Sequence, residues 1–462
     1  MPSTAGEATG KGRGAFSSNV GFILAGAGSA IGLGAIWRFP YMTGQNGGAV
    51  FVLVFLACCF VIGVPVMIAE IAIGRRTQRN PVGSFDALRG GKLWKAVGAL
   101  CVASGFMIFS WYSVIAGWVL GYLWHATIGT FATAHTAEEI GVFFASFVAD
   151  PMIVIGLHLG IIAITAFVVI RGVKEGIEWL SKWLMPVLFF LLILLALRAV
   201  TLPGSGAGLT FYLKPDFSKI SSTMLLAAMG QALFSLSIGM GTMLTYGSYL
   251  SKKESIPRAA AWITFFEVLV SLLAGFAILP AVSAMGQSFT EGPRLIFVVL
   301  PSIFATMPGG YLFGVGFFTL VIIAAITSTV SILEVPVAYF VDERKWSRAA
   351  ATLLVSGSAF LLGIPAALAH GASSFWSDLP GLATDFFTVV STAFGDISLS
   401  VGCFFIAIFA GWVWGAGNAV GEIEAGGRRF ALATTWPFLI RYVAPVSILI
   451  VLANVLVQIA LR

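Results

Sequence analysis

Eleven long apolar segments occupy most of this 462-residue chain, and they constrain its fold more than any other feature. About 20 apolar residues cross the hydrocarbon core of a bilayer as one helix. Only 10% of the residues are charged, against roughly 25% in soluble proteins, which excludes a water-soluble enzyme. The predicted spans are 17–41, 48–74, 96–124, 152–170, 177–197, 222–249, 259–284, 310–340, 349–369, 386–416 and 437–460. The expected fold class is therefore an all-α integral membrane protein with 11 transmembrane helices.

Basic residues are divided unequally between the two sets of connections. With the N-terminus placed in the cytoplasm, 20 of the 26 Lys and Arg residues lie on the cytoplasmic side and five on the other, with Arg38 left inside the first span. Lys and Arg collect on the cytoplasmic side of membrane proteins. We therefore expect a cytoplasmic N-terminus and an extracytoplasmic C-terminus. The distribution of the +6 net charge fits this topology and gives no indication of nucleic-acid binding.

Two spans are interrupted by glycine at their centres. Residues 31–34 of the first span and 238–241 of the sixth share the pattern Ile-Gly-apolar-Gly. Because five crossings separate them, the second half runs through the membrane inverted relative to the first, and paired breaks of this kind mark the substrate site of a transporter. An unwound helix frees carbonyls for a cation and amides for a carboxylate, which suits Na⁺ and an amino acid. The alternative is that these glycines only allow close helix packing.

Several motifs resemble the neurotransmitter:sodium symporter family, which has the leucine-transporter fold. They are Ile-Trp-Arg-Phe-Pro-Tyr at 36–41, Asn-Gly-Gly at 46–48, and the segments 69–75, 171–178, 230–237 and 327–328. The resemblance covers spans one to ten, and eleven spans with Gly-Met-Gly in the sixth are similar to bacterial multi-hydrophobic amino acid transporters of the family. It implies two inverted repeats of five helices plus one extra helix, in a bacterial inner membrane. The implied divisions are a tail over 1–16, repeats over 17–200 and 201–420, and the last helix within 421–462.

The resemblance implies two sodium sites. Sodium site one would use Ala30, Ser235 and Glu267, and sodium site two would use Gly28, Ile31, Ala324, Thr327 and Ser328. The chain departs from the family at sodium site one, where Ala35 and Glu267 replace two asparagines. Since a carboxylate in mid-membrane is costly unless paired, we expect Glu267 to supply its charge directly to Na⁺.

Glu267 also bears on the anion dependence of transport. A fixed carboxylate would repel chloride and replace its charge, which predicts chloride independence. An alternative is that Glu267 carries a proton in the return step, because desolvation favours the neutral acid when no cation is near.

The substrate pocket implied by the resemblance has no acidic side chain for an amine, because Gly32 stands where amine transporters have Asp. The substrate would therefore bring its own carboxylate. The implied pocket residues are Ala30, Leu33, Gly34, Ile108, Tyr112, Phe234, Ser237, Met240, Ser328 and Ile332. Their apolar character favours hydrophobic L-amino acids, and Met is adaptable enough to accept side chains of several sizes.

Closures on either side of the pocket follow from the same resemblance. Arg38 and Asp385 would form an outer ion pair above a lid made by Tyr112 and Phe234. Arg13 and Asp342 would form an inner ion pair supported by Tyr249.

The function expected from the sequence is Na⁺-coupled symport of hydrophobic L-amino acids by alternating access. The alternatives are a passive facilitator or channel and an intramembrane enzyme, for which no catalytic constellation is visible. Expected partners are the amino acid, Na⁺ and membrane lipid, with neither nucleic acid nor an obligatory protein partner implied.

Overall fold

The computed structural model describes residues 14–132, 136–287, 294–425, 427 and 429–460. Over these residues it is built of helices joined by short connections. The main helices, several of which contain a π turn, are α1 Asn19–Ala30, α2 Gly34–Gln45, α3 Ala49–Thr77, α4 Pro81–Leu88, α5 Lys92–Thr127, α6 Ala137–Ala149, α7 Pro151–Ile170, α8 Val173–Val200, α9 Gly206–Leu213, α10 Ser222–Ser235, α11 Thr242–Gly247, α12 Ile256–Ala284, α13 Leu295–Thr306, α14 Gly310–Glu343, α15 Arg348–Leu368, α16 Phe386–Val413, α17 Ala416–Glu424 and α18 Trp436–Ile459.

Nine helices of the described chain are individually long and apolar enough to cross a membrane. A tenth span is the bent pair α1 and α2, whose axes differ by 51°. The eleventh is formed by α10 and α11, which are separated by six residues, 236–241. The predicted eleven spans, with breaks in the first and the sixth, are confirmed.

The first break lies between Ala30 and Gly34. The N–H of Ile31 still bonds to the carbonyl of Ala27 at 2.7 Å, but the N–H of Gly32 bonds to Ala30 at 3.0 Å, a separation too short for an α-helix. Helical bonding resumes with the amides of residues 35 and 36 on the carbonyl of Gly32. The carbonyls at the end of α1 therefore lose their partners within the helix.

The second break is made by three residues with positive φ. Ser237, Gly239 and Gly241 have φ of 51°, 91° and 77°. Glycine adopts such angles without steric cost, whereas a serine does not. The Glu70 carboxylate of α3 stabilises the unwound segment, because Oε1 accepts from the amide of Gly239 at 2.6 Å and Oε2 accepts from Leu244 at 3.3 Å.

The half-helix α1 lies at the centre of the bundle. It packs against α8, α12 and α14, while α5 and α14 run alongside each other in the most extensive helix contact of the molecule. Small residues on α1 permit the approach: Gly21 faces Glu178 of α8, and Gly28 faces Thr327 of α14. The last span, α18, packs outside on α10 and α16. The fold therefore brings both breaks into the interior.

Candidate functional site

The two breaks meet through a hydrogen bond between side chain and backbone. The Ser237 hydroxyl donates to the carbonyl of Ser29 at 2.9 Å, and both residues are buried. The Ser328 hydroxyl of α14 donates to the carbonyls of Gly28 and Ser29, each at 3.3 Å. Backbone groups freed by unwinding thus converge with hydroxyls of two other segments at the middle of the bundle.

Backbone amides that could hold a carboxylate lie just after the first break. The N–H of Leu33 donates to the Tyr112 hydroxyl at 3.0 Å. A Cβ at Gly32 would stand 2.5 Å from Ser328 Oγ and 2.8 Å from Tyr112 Oη, so glycine is the residue that fits between these hydroxyls. The positive end of α2 points into the same region and favours a negative group.

The predicted pocket residues are all interior residues, and Phe234 is the one that is partly exposed. Six of them belong to one continuous apolar cluster, against which Phe234 packs: Ala30, Leu33, Ile108, Tyr112, Met240 and Ile332. Gly34 lies under the Phe234 ring, and a Cβ added at Gly34 would stand 3.1 Å from two carbons of that ring. None of the ten predicted residues carries a charged side chain.

Oxygens at the predicted sodium site two lie on α1 and α14. The Thr327 hydroxyl bonds to the carbonyl of Ala324 at 3.0 Å, and Ser328 Oγ reaches the carbonyl of Gly28. Thr327 is held close to α1, since its Cβ is 3.2 Å from where a Cβ of Gly28 would be. Carbonyl and hydroxyl oxygens suit a hard cation. The structure brings four of the five predicted residues together, and Ile31 lies at the adjoining break.

Glu267 of α12 is fully buried at the predicted sodium site one. Its Oε1 accepts hydrogen bonds from the hydroxyls of Ser235 and of Ser271, the latter at 2.8 Å. Among the described residues no donor reaches Oε2. Gln231, one turn before Ser235, donates to the carbonyl of Gly34 at 3.0 Å. A buried carboxylate oxygen with no partner is the arrangement that a cation or a proton would complete.

The outer ion pair differs from the prediction. Arg38 pairs with Asp396 at 3.4 Å and not with Asp385. Asp385 caps its own helix, accepting from the amide of Thr388 at 2.8 Å and from its hydroxyl at 2.7 Å. Asp396 lies about three turns further along α16, at the depth of Arg38, so the predicted partner was wrong.

Arg38 also covers the predicted lid. Its guanidinium carbon lies 4.7 Å from the centre of the Phe234 ring. A cavity of about 220 Å³ lies beside this arginine and is lined by Tyr112, Phe234 and Asp396 among others. Leu33 of the first break also lines this cavity, so the cavity extends from the ion pair and the two aromatic rings to the broken helix.

On the opposite side, the predicted inner pair of Arg13 and Asp342 stays a prediction. Arg13 lies outside the described residues. Asp342 accepts from the amide of Asn80 at 2.8 Å and from its side chain at 3.3 Å. The Tyr249 hydroxyl donates to Glu334 at 2.6 Å, and Glu334 also pairs with Arg348.

Sequence reasoning assigned no role to four buried acidic residues of the described chain: Glu70, Glu178, Glu334 and Glu422. Each lies within or beside an apolar span, and this was the available signal, because buried charges in membranes are paired. Glu178 receives the amide and hydroxyl of Ser17 and pairs with Lys182 at 2.6 Å, which fixes the start of α1 to α8.

Comparisons with known proteins agree with this architecture. The family model described as the sodium:neurotransmitter symporter family matches residues 13–140 and 149–461. A sodium-dependent transporter of Bacillus subtilis, YhdH, itself uncharacterized, is 38% identical over 446 residues, covering 96% of this chain and 97% of its own. An uncharacterized sodium-dependent transporter of Haemophilus influenzae is 34% identical over 451 residues, covering 96% and 98%.

A solved structure extends the agreement to three dimensions. The crystal structure of MhsT in complex with L-phenylalanine superposes with a TM-score of 0.88, at 43% sequence identity, over 96% of this chain and 100% of that one. The resemblance to the symporter family, and the fold it implied, are confirmed. With a family model spanning nearly all of its length and relatives matching end to end, this chain is a membrane-spanning, sodium-dependent member of the sodium:neurotransmitter symporter family.

Proposed function

We propose that the protein carries hydrophobic L-amino acids across the bacterial inner membrane together with Na⁺. The observation that carries the proposal is the meeting of two broken helices among ten interior residues without a charged side chain. The amide of Leu33 and the Tyr112 hydroxyl offer donors to the substrate carboxylate, and the carbonyl of Ser29 offers an acceptor to its amine. MhsT, which shares the fold, was solved with L-phenylalanine.

The experiment is uptake by purified protein in sealed liposomes with an imposed inward Na⁺ gradient. Labelled phenylalanine, leucine, glutamate and lysine form the panel. Accumulation of the two apolar amino acids above the external concentration supports the proposal. Uptake that only equilibrates would favour the alternative, a passive facilitator, and preference for glutamate or lysine would contradict the assigned pocket.

Sodium is proposed to bind in two places. At sodium site two, Thr327 and Ser328 present hydroxyls beside the carbonyls of Gly28 and Ala324. At sodium site one, Glu267 accepts from Ser235, and Gln231, one turn before Ser235, donates to the carbonyl of Gly34 at the end of the first break; Ala30 would add a carbonyl. Thr327→Ala removes one oxygen from sodium site two. We expect it to shift the Na⁺ titration of uptake to higher Na⁺ concentration. Thr319→Ala, eight residues earlier on α14 and outside the site, is the control and should leave the titration unchanged.

Chloride independence is the finer part of the proposal. Glu267 already supplies a negative charge where a bound anion would be needed to balance Na⁺. Replacing chloride with gluconate is therefore expected to leave uptake unchanged, and a large loss would contradict this role.

Proton counter-movement is the second candidate role of Glu267. The oxygen Oε2, which has no donor among the described residues, favours this role as well. If Glu267 carries a proton out on the return step, an outward proton gradient, with the liposome interior acidic, should change the uptake rate under a constant Na⁺ gradient. Uptake indifferent to that gradient would leave Na⁺ as the ion bound by Glu267.

A further inference from the structure

A second cavity, lined by none of the predicted pocket or sodium-site residues, opens toward the bilayer. It has a volume of about 360 Å³ and lies between α4, α5, α14 and α15. We call it the lateral cleft and define it by Ala103 and Phe106 of α5, Pro336 and Phe340 of α14, and Leu354 and Val355 of α15. Each of these six side chains is apolar.

The lateral cleft faces lipid and not the transport pathway. Ala103 is exposed and Leu354 is 45% exposed, whereas Pro336 and Val355 form a buried floor. In a protein that spans the membrane, an apolar opening at this position contacts hydrocarbon chains. An alkyl chain can fill such a cavity, because Tyr339 and Ser358 are the two residues of its lining that carry a polar side-chain group.

One end of the lateral cleft reaches the level of the lipid headgroups. It lies at the start of α5, the end of α14 and the start of α15, so the same end of three helices surrounds it. Ala103 is 11 residues into α5, about 16 Å from its start. Trp346 marks the interface: it is 42% exposed and stacks on Phe340 with ring centres 5.1 Å apart. Tryptophan is enriched at this depth of the membrane.

Two cations stand at this end directly after two acidic residues, Asp342 and Glu343, each of which accepts a hydrogen bond from Asn80. Arg344 and Lys345 follow directly after the last residue of α14, and both are exposed. Neither forms an ion pair with another described residue. The neighbouring acidic side chain, Glu343, accepts a hydrogen bond from Asn80 at 2.8 Å. Cations beside an apolar groove at the headgroup level complement a negatively charged phosphate.

We propose that the lateral cleft binds one acyl chain of an anionic phospholipid, with its phosphate held by Arg344 and Lys345. The charge argument selects an anionic lipid over a zwitterionic one, because the two exposed cations have no negative partner within the described chain. The site is separate from the transport site, so the proposal stands independently of the substrate.

The test is the lipid that remains bound to the protein. The transporter is extracted from membranes of mixed phosphatidylglycerol and phosphatidylethanolamine, and the bound phospholipids are counted by native mass spectrometry. We expect phosphatidylglycerol to be enriched over its share in the membrane. The double variant Arg344→Gln, Lys345→Gln should remove this preference. Each lost cation should lower the affinity for phosphatidylglycerol about fivefold.

Ala103→Trp tests the acyl chain by filling the lateral cleft from its exposed edge, and it should reduce bound lipid of either class. Leu353→Trp is its control, because Leu353 is 61% exposed on the same helix as Leu354 but does not line the cleft. Bound lipid with the composition of the membrane would overturn the proposal. So would retained phosphatidylglycerol in both variants, or a dimer held through this face with no lipid in it. The Gln variant lies outside the apolar core, so the test stands even if Ala103→Trp does not fold.

Discussion

Glu267 is a carboxylate in the middle of the bundle, with one oxygen bonded to two serines and the other without a donor in the described chain. A buried cation that loses its carboxylate partner loses more binding free energy than an exposed cation would, because water cannot take the place of the carboxylate. The residue therefore has a strong influence on any cation beside it.

Glu267→Gln keeps the shape of the side chain and removes its charge. We expect the Na⁺ concentration for half-maximal uptake to rise about 30-fold, equivalent to about 2 kcal/mol of lost interaction. The measurement is a Na⁺ titration of uptake in liposomes. Glu175→Gln, an exposed carboxylate on α8, is the matched control and should titrate like the original protein. Equal titrations of the two variants would remove Glu267 from the sodium site.

Single residues were the part of the site least accessible to sequence reasoning. Glycine breaks are a local signal and led directly to Gly32, whereas Thr327 and Ser328 were implied by the resemblance to the family. The partner of Arg38 depends on how deep each acidic residue of α16 lies, and that depth depends on packing. The ion pair of Glu334 and Arg348 was not predicted for the same reason, because the two residues belong to different helices and meet only in the folded bundle.

At the scale of the elements, a contact between two glycines positions the unwound segment between α10 and α11 against α16. The Cα of Gly402 on α16 lies against the carbonyl of Gly239, so a Cβ at position 402 would overlap that oxygen. The unwound segment between α10 and α11 is thereby held between α3, through Glu70, and α16. On the α16 side its position is determined by contact between backbones, and on the α3 side by the Glu70 carboxylate.

Gly402→Ala is expected to displace the unwound segment and lower uptake by about tenfold, since overpacking costs about 1–3 kcal/mol. The initial rate of phenylalanine uptake measures this effect, with the amount of folded protein checked by size-exclusion chromatography. Gly421→Ala of α17 is the control, because no atom lies within 4 Å of its added Cβ. A normal rate in Gly402→Ala would show that the segment moves freely.

The start of α1 is attached to α8 through Glu178, which accepts from both the amide and the hydroxyl of Ser17. Glu178→Gln weakens these charge-assisted bonds, each worth about 1.5–3 kcal/mol. Amides at the start of α1 should then exchange with deuterium about tenfold faster. Glu175→Gln, three residues away and exposed, should leave the exchange unchanged. Protection retained in both variants would mean that packing alone holds α1.

The existence of the elements was predictable because apolar length identifies a span and clustered glycines identify a break. Their detailed form was not. Several spans contain a π turn, including residues 173–178 at the start of α8 and 392–397 in α16. A π turn adds one residue to a helical turn and depends on tertiary contacts, so the local composition of the sequence does not predict it.

At the scale of the whole molecule, the proposed closure on the Arg38 side consists of one ion pair and two aromatic rings. The side chains of Arg38 and Asp396 are 25% and 37% exposed, so their attraction is partly screened by water and worth at most about 1 kcal/mol. Such a pair biases the equilibrium between open and closed forms without locking it, as a transport cycle requires.

Asp396→Asn should therefore shift the closed population by at most about fivefold and lower the uptake rate to a similar extent. Asp385→Asn keeps the helix cap, because asparagine caps a helix about as well as aspartate, and should leave both the melting temperature and the uptake rate unchanged. Uptake rate and melting temperature, measured for both variants, separate the two roles. A larger loss of rate in Asp385→Asn would restore the pairing expected from the sequence.

The hydroxyls of Tyr112 and Ser237 already satisfy the backbone groups of the first break, at Leu33 and Ser29. A zwitterion bound as proposed would take over these positions, so its binding would be an exchange of hydrogen bonds whose gains and losses nearly cancel. What remains to drive it is the release of water from the ligand's own hydrocarbon. Discrimination among amino acids would then follow the size of the side chain more than the strength of its polar ends, and larger apolar ligands would dissociate more slowly.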